Sequence, residues 1–254
     1  MSSSKYRDQQ GLSQKPGLRS GFEYLNPQSL VVAESIDRMS FDNLSHFKSY
    51  GRNILLLVDT EDSQERALLE QKVRRDMNSS ELFTLLYERK TRVVQPYNEM
   101  GVQELRGRIE AMMRYVGGMR HFMKSKGIGT VVIGAIQSYI RISTLDGSAA
   151  EFSIVMLYNA ETTTVIQGIC EGVPVQTEYL RDARGAGFWD EEATEGKTTY
   201  GETLERIFFR TAQSRLRSGL GIANDWHWIV CGQSRHDLLQ AVAYGLGPIL
   251  LQPK

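Results

Sequence analysis

Cysteine is scarce in this chain: Cys170 and Cys231 are the only two in 254 residues. That excludes a disulfide framework and reads as a pair of reduced thiols in an intracellular protein. Long apolar runs are missing as well. No stretch approaches the roughly 20 residues of a spanning helix, and the opening MSSSKYRDQQ lacks the apolar core of a secretory signal. These absences lead to the expectation of a cytoplasmic protein without a membrane span. Net charge is absent too, since 30 basic and 30 acidic residues cancel. Cancellation excludes a polybasic, purely electrostatic nucleic-acid binder and removes a like-charge barrier to self-association.

What is present suits a globular core, with 41% apolar and 24% charged residues. The balanced charge is unevenly spread. Between 101 and 126 the basic residues Arg106, Arg108, Arg114, Arg120, Lys124 and Lys126 meet only Glu104 and Glu110. Between 151 and 195 the acids predominate, with only Arg181 and Arg184 against them. Such a split steers one protomer onto another or one face onto a polyanion; solvated faces of a single domain are the plainer reading.

Periodicity and punctuation give an α+β fold: a central, mainly antiparallel sheet over about 130–179, flanked by amphipathic helices and preceded by a flexible N-terminal arm. Residues 1–28 are Ser-, Gln- and Gly-rich and form that arm; residues 29–254 form one domain. Helical spacing is expected over 29–50, and the apolar run NILLLV (53–58) reads as a buried strand. A helix follows to about Met77, with Glu61 and Asp62 in its first turn and Arg74 and Arg75 in its last. Ser79–Ser80 caps a further short segment over 81–89. From Val102 to Met123 the apolar residues alternate three and four apart as a heptad seam, interrupted by Gly117–Gly118, where a kink is expected. The sheet is read from strands at 130–144 and 151–158 around the turn Leu145–Asp146–Gly147, a third strand at 162–170 and a fourth at 173–179. Residues 181–201 read as a polar loop, 200–220 as a second amphipathic helix, 225–231 as a short strand and 237–246 as a final helix.

Motifs with chemistry are few. Asp59, Glu61 and Asp62 end a buried strand, where α/β enzymes hold metals. The string VDTEDS is similar to D-x-D and D-x-S-x-S metal motifs but departs from both at Glu61, and helix N-terminal acids explain the same residues. EGKTTY (195–200) contains the G-K-T of a P-loop, but the glycine required five positions before Gly196 is Glu191. Asp190, Glu195 and Lys197 mimic a nuclease carboxylate–lysine set from within a loop. His227, Cys231 and His236 have zinc-like spacing without a fourth ligand. Gly219-Leu-Gly221 precedes no phosphate-binding helix, and G-x-S-x-G does not occur. No catalytic residue, metal site or cofactor is assigned.

The stronger pattern is a stripe of arginines. Arg206, Arg210, Gln213 and Arg217 fall on one helical face, and Arg106, Arg114 and Lys124 point away from the heptad seam. Guanidinium groups on a fixed scaffold suit phosphates along RNA or DNA. Ile154–Leu180, ending V-P-V-Q-T-E-Y-L, resembles a strand segment of cypovirus polyhedrins over a short stretch; the flanking helices depart from that family, and no residue role follows. The sequence thus leads to the expectation of a non-enzymatic, self-associating structural or assembly protein, of viral matrix, nucleocapsid or occlusion type. Its partners would be itself, as a homo-oligomer, and nucleic acid on the arginine-lined surface. The alternative is a metal-dependent hydrolase or nuclease using the carboxylates after 53–58.

Overall fold

NILLLV forms a strand, β1 (Asn53–Val58), buried from Ile54 onward. It is apolar on both sides because both sides are covered. Leu55 and Leu57 join one core, whereas Ile54, Leu56 and Val58 join the other. The computed structural model describes residues 48–76, 81–89, 93–210 and 226–249. The arm expected over 1–28, most of the helix expected over 29–50 and the end of that expected over 200–220 lie outside the described residues.

After β1 comes helix α1 (Ser63–Asp76), then strand β2 (Leu82–Leu86), which pairs parallel to β1. The segment over 81–89 is therefore a strand at its centre; its alternating Phe83 and Leu85 pack beneath the sheet's helical cover. Strand β3 (Gln95–Pro96) precedes α2 (Met100–Gly117) and α3 (Arg120–Ser125). The single helix expected over 102–123 is thus two helices, broken at Gly117–Gly118. Of its seam residues, Val102, Leu105, Ile109, Met112, Val116 and Met123 are buried in one core with β4 and β5 and Met119 is partly buried against it, so the heptad pattern faces this chain's own sheet. Gly101 lets α2 approach it: a Cβ there would lie 2.4 Å from Cβ of Tyr139.

Strands β4 (Ile128–Ile142) and β5 (Ala149–Asn159) form the long antiparallel hairpin that the Asp-Gly turn signalled. Gly147 takes φ +71° in that turn, a conformation glycine adopts without steric cost. Strand β6 (Thr164–Ile169) and the two-residue β7 (Val173–Pro174) pair antiparallel to β5. The strand expected over 173–179 ends early, because α4 (Thr177–Gly185) begins and buries Leu180 and Ala183. This departs from the polyhedrin-like strand reading. Residues 195–196 form β8, paired with β3, and α5 (Tyr200–Arg210) follows. The strand expected over 225–231 is instead a short helix, α6 (His227–Cys231), and α7 (Arg235–Gly245) opens with a capping box between Ser234 and Asp237.

The fold is α+β, with a mixed, mostly antiparallel six-stranded sheet of order β2-β1-β4-β5-β6 and β7 beside β5. Helices α1 and α7 cover one face, and α2 and α3 the other. The chain leaves β1 on one side through α1 to β2 and returns on the other through α2 to β4. The carboxyl end of β1 is therefore a topological switch point, the place where open α/β sheets form a crevice. No helix among the described residues is long and apolar enough to cross a membrane.

The two cysteines differ sharply in setting. Cys170 is buried, and burial pushes its thiol up to about 11; Cys231 is exposed. A thiol-reactive chromogenic disulfide should titrate one cysteine rapidly in the native protein and both after denaturation. Rapid reaction of both natively would contradict the packing of Cys170 under β5.

Candidate functional site

A cavity of about 960 Å³ opens at the carboxyl ends of β1 and β2. Its floor is built from ionisable side chains brought together by the crossover. Asp59, the first residue beyond β1, has a fully buried side chain that receives Nε and Nη2 of Arg108, each at 2.5 Å. Arg108 stands on the sheet-facing side of α2, and its Nη1 donates to the carbonyl of Ile136 at 2.8 Å and to Gln137 at 2.7 Å. Arg89 reaches Asp59 at 3.4 Å and Glu104 at 3.0 Å. Charges removed from water are tolerated only with this degree of pairing.

A second group lies beside the first. Thr60 donates to Glu65 at 2.5 Å, and the other oxygen of Glu65 meets Arg235 of α7 at 2.6 Å. Arg235 also donates to the Ser138 hydroxyl, which lies 2.6 Å from that of Ser153. Burial works against the charge on Arg235, but Glu65 and Glu151 outweigh it and leave the guanidinium pKa raised. The third group is Glu151 of β5 with His227 of α6, at 3.0 Å. Both are buried, and Trp226 stacks on the imidazole at 4.2 Å.

The residues singled out from sequence fall in different places. Asp59, Glu61 and Asp62 all line the cavity. Asp62 caps α1, accepting from the backbone N–H groups of Gln64 and Glu65. Asp59 is engaged by arginines at both oxygens and is not presented to a metal. Among the described residues no group of three His, Cys, Asp or Glu is placed to hold a metal ion. Cys231 donates to the His227 carbonyl, and His227 to Glu151, so the zinc-like spacing is not assembled. Gly196 of EGKTTY sits in the β3–β8 pair, not in a phosphate loop. Asp190 closes a turn by accepting from Thr194 and Glu195, which holds its carboxyl below its ordinary value, and Lys197 lies over the Trp189 ring.

Of the arginine stripe, Arg206 is exposed and donates to Thr203. Arg210 ends α5, and Arg217 lies outside the described residues. Arg106 is half-buried, while Arg114 and Lys124 are exposed on α2 and α3. Arg206 stands on a helix of one core cluster, and Arg106, Arg114 and Lys124 stand on helices of another. Sequence reasoning missed Glu65, Arg89, Arg108, Glu151 and Arg235. Arg108 carried a readable signal: it lies three residues after Leu105 and four before Met112, on the buried face of its helix.

No family model matches the chain, and no curated protein matches it. Among solved structures it is similar to protein VC0702 from Vibrio cholerae, at 11% identity and TM-score 0.47, over 74% of this chain and 90% of that one. A PelC dodecamer from Paraburkholderia phytofirmans matches at 9% identity and TM-score 0.23, over 50% of this chain and 74% of that one. Likenesses of this size carry no argument about activity.

Proposed function

We propose that this protein binds a small organic cation in the switch-point cavity. The observation behind the reading is the charge of the cavity wall, which holds eight carboxylates against three guanidinium groups. All three arginines are already paired, Arg89 and Arg108 with Asp59 and Arg235 with Glu65. Glu61, Glu88, Glu202 and Glu205 form no ion pair among the described residues and leave the wall with a negative surplus. An anionic ligand would meet that surplus as repulsion, whereas a cation is attracted and focused by a concave wall of one sign. The cavity has the volume of small-molecule sites, and Tyr87 is among its lining residues, an aromatic ring of the kind that attracts cations.

A hydrolase metal centred on Asp59 would compete with Arg108 and Arg89 for the same oxygens. Self-association and nucleic-acid binding remain a second proposal, supported by the exposure of Arg114, Lys124 and Arg206. It concerns outer helix faces and is independent of the cavity.

The first reading is tested by thermal unfolding of the full chain at low salt with cadaverine as probe. At about ten times its dissociation constant a native-state ligand adds about 1.4 kcal/mol, or roughly 3–6 °C for a chain of this size. Glu61→Gln with Glu205→Gln should remove most of that rise, and Glu171→Gln, outside the cavity, should leave it intact. No rise in the parent, or an equal rise in the cavity variant, overturns the reading.

A further inference from the structure

Among the described residues lining the cavity, His227 holds a buried polar atom without a hydrogen-bond partner. His227 Nε2 lies 3.0 Å from Oε1 of Glu151. A carboxylate only accepts, so Nε2 carries the proton in this contact, and in the tautomer protonated there the lone pair is on Nδ1. Nδ1 is buried and has no hydrogen-bond partner among the described residues. An orphaned buried acceptor costs free energy, and native structures keep few of them. The ring is also held against turning. Trp226 stacks on it at 22° and is itself set edge-on to Tyr200 at 4.8 Å. Glu151 is fixed by the strand, paired with Ile140 on one side and Val173 on the other. A carboxylate that fixes one ring nitrogen and leaves the other unused defines the tautomer and aim of an imidazole.

We propose that Nδ1 of His227 is the hydrogen-bond acceptor that selects among cations entering the cavity, so that the ligand is a primary or secondary ammonium. The proposal rests on the cation reading above and adds the group that discriminates between cations of equal charge. The carboxylates of the wall attract any cation; only one with an N–H gives Nδ1 a donor. A quaternary ammonium satisfies the charge and leaves the imidazole unpaired. Sites built around a hydrogen-bonded donor reject analogues that lack it far more strongly than apolar sites reject a change of size. His227 lines the cavity, and because its Nδ1 is itself buried the contact requires a side-chain-scale adjustment of the groups that cover it.

The test is calorimetric titration of the full chain with cadaverine and with pentamethonium, its analogue bearing a trimethylammonium at each end. Cadaverine should bind the parent roughly 10–100-fold more tightly, the range of one hydrogen bond involving a charged group. In His227→Gln the preference should shrink to within about threefold, with both probes still bound. Because that variant removes a buried ring and a stacked contact, a second readout uses the unaltered protein. Cadaverine should shift the Nδ1 resonance of His227 in nitrogen-15 spectra, and pentamethonium should not. Equal affinity of the two probes for the parent, or an unmoved Nδ1 resonance with cadaverine bound, overturns the proposal while leaving the cation site standing. Failure of both probes to bind overturns the cation reading and this proposal together.

Discussion

Arg108→Met is expected to lower the unfolding free energy by about 3–5 kcal/mol. The change leaves the Asp59 carboxylate, whose side chain is 0% exposed, without its two-point partner. Arg89 remains, but its Nε stands 3.4 Å away and its Nη1 is committed to Glu104 at 3.0 Å. The carbonyl of Ile136 and the amide oxygen of Gln137 lose a donor in the same substitution. The cost comes chiefly from the stranded charge and less from the loss of attraction. Adding Asp59→Leu to Arg108→Met should therefore recover part of the loss, a result that simple addition of two damaged contacts does not give. Urea unfolding of the two single variants and the double variant measures it. A loss under about 1 kcal/mol for Arg108→Met would mean that Asp59 is solvated, as exposed pairs are, and that the cavity floor is open.

Leu57→Ala is expected to cost about 2–5 kcal/mol. Leu57 is fully buried, sits in register with Leu85 of β2 and Ile133 of β4, and joins the core under α2. Truncation there leaves a void between strand and helix that a central strand with neighbours on both edges closes poorly. Leu57→Met, which keeps the volume, should cost less than about 1.5 kcal/mol. The measurement is the urea midpoint at unchanged slope, since a changed slope would report an altered denatured state. Near-equal midpoints for the alanine variant and the parent would contradict the buried position of β1 in the sheet.

The scaffold was legible where local pattern and tertiary role agree. NILLLV is a buried strand, the Asp-Gly turn closes the long hairpin, and the heptad-like spacing marks a helix with one apolar face. Local pattern failed where packing overrode it. Leu82–Leu86 is a short apolar run of the kind that periodicity alone does not assign, and parallel pairing with β1 makes it a strand. DWHWIVC is rich in residues favoured in strands, yet Trp226 packs among Tyr200, Leu204 and Leu238, and the segment after it turns as α6. Val173–Tyr179 changes from strand to helix at Thr177, where Leu180 and Ala183 find a helical seat.

The site was less legible than the fold. Asp59, Glu61 and Asp62 were visible because a run of acids ended an apolar strand. The partners of Asp59 were not, because Arg89 and Arg108 come from separate elements, and the Arg235–Glu65 and His227–Glu151 pairs likewise join residues far apart in sequence. An arginine on the buried face of α2 requires a buried acceptor, so Arg108 showed that a partner exists without showing which. The arginine stripe, by contrast, was clear in sequence, and of its described members Arg106, Arg114, Lys124 and Arg206 are not among the residues that line the cavity.

If the cavity at the carboxyl end of β1 is where this protein meets its ligand, saturating cadaverine should slow hydrogen–deuterium exchange in peptides spanning 59–65, 199–205 and 226–236 and leave those of α2 and α3 unchanged. Protection confined to α2 and α3, or no protection under saturating cadaverine, would contradict it.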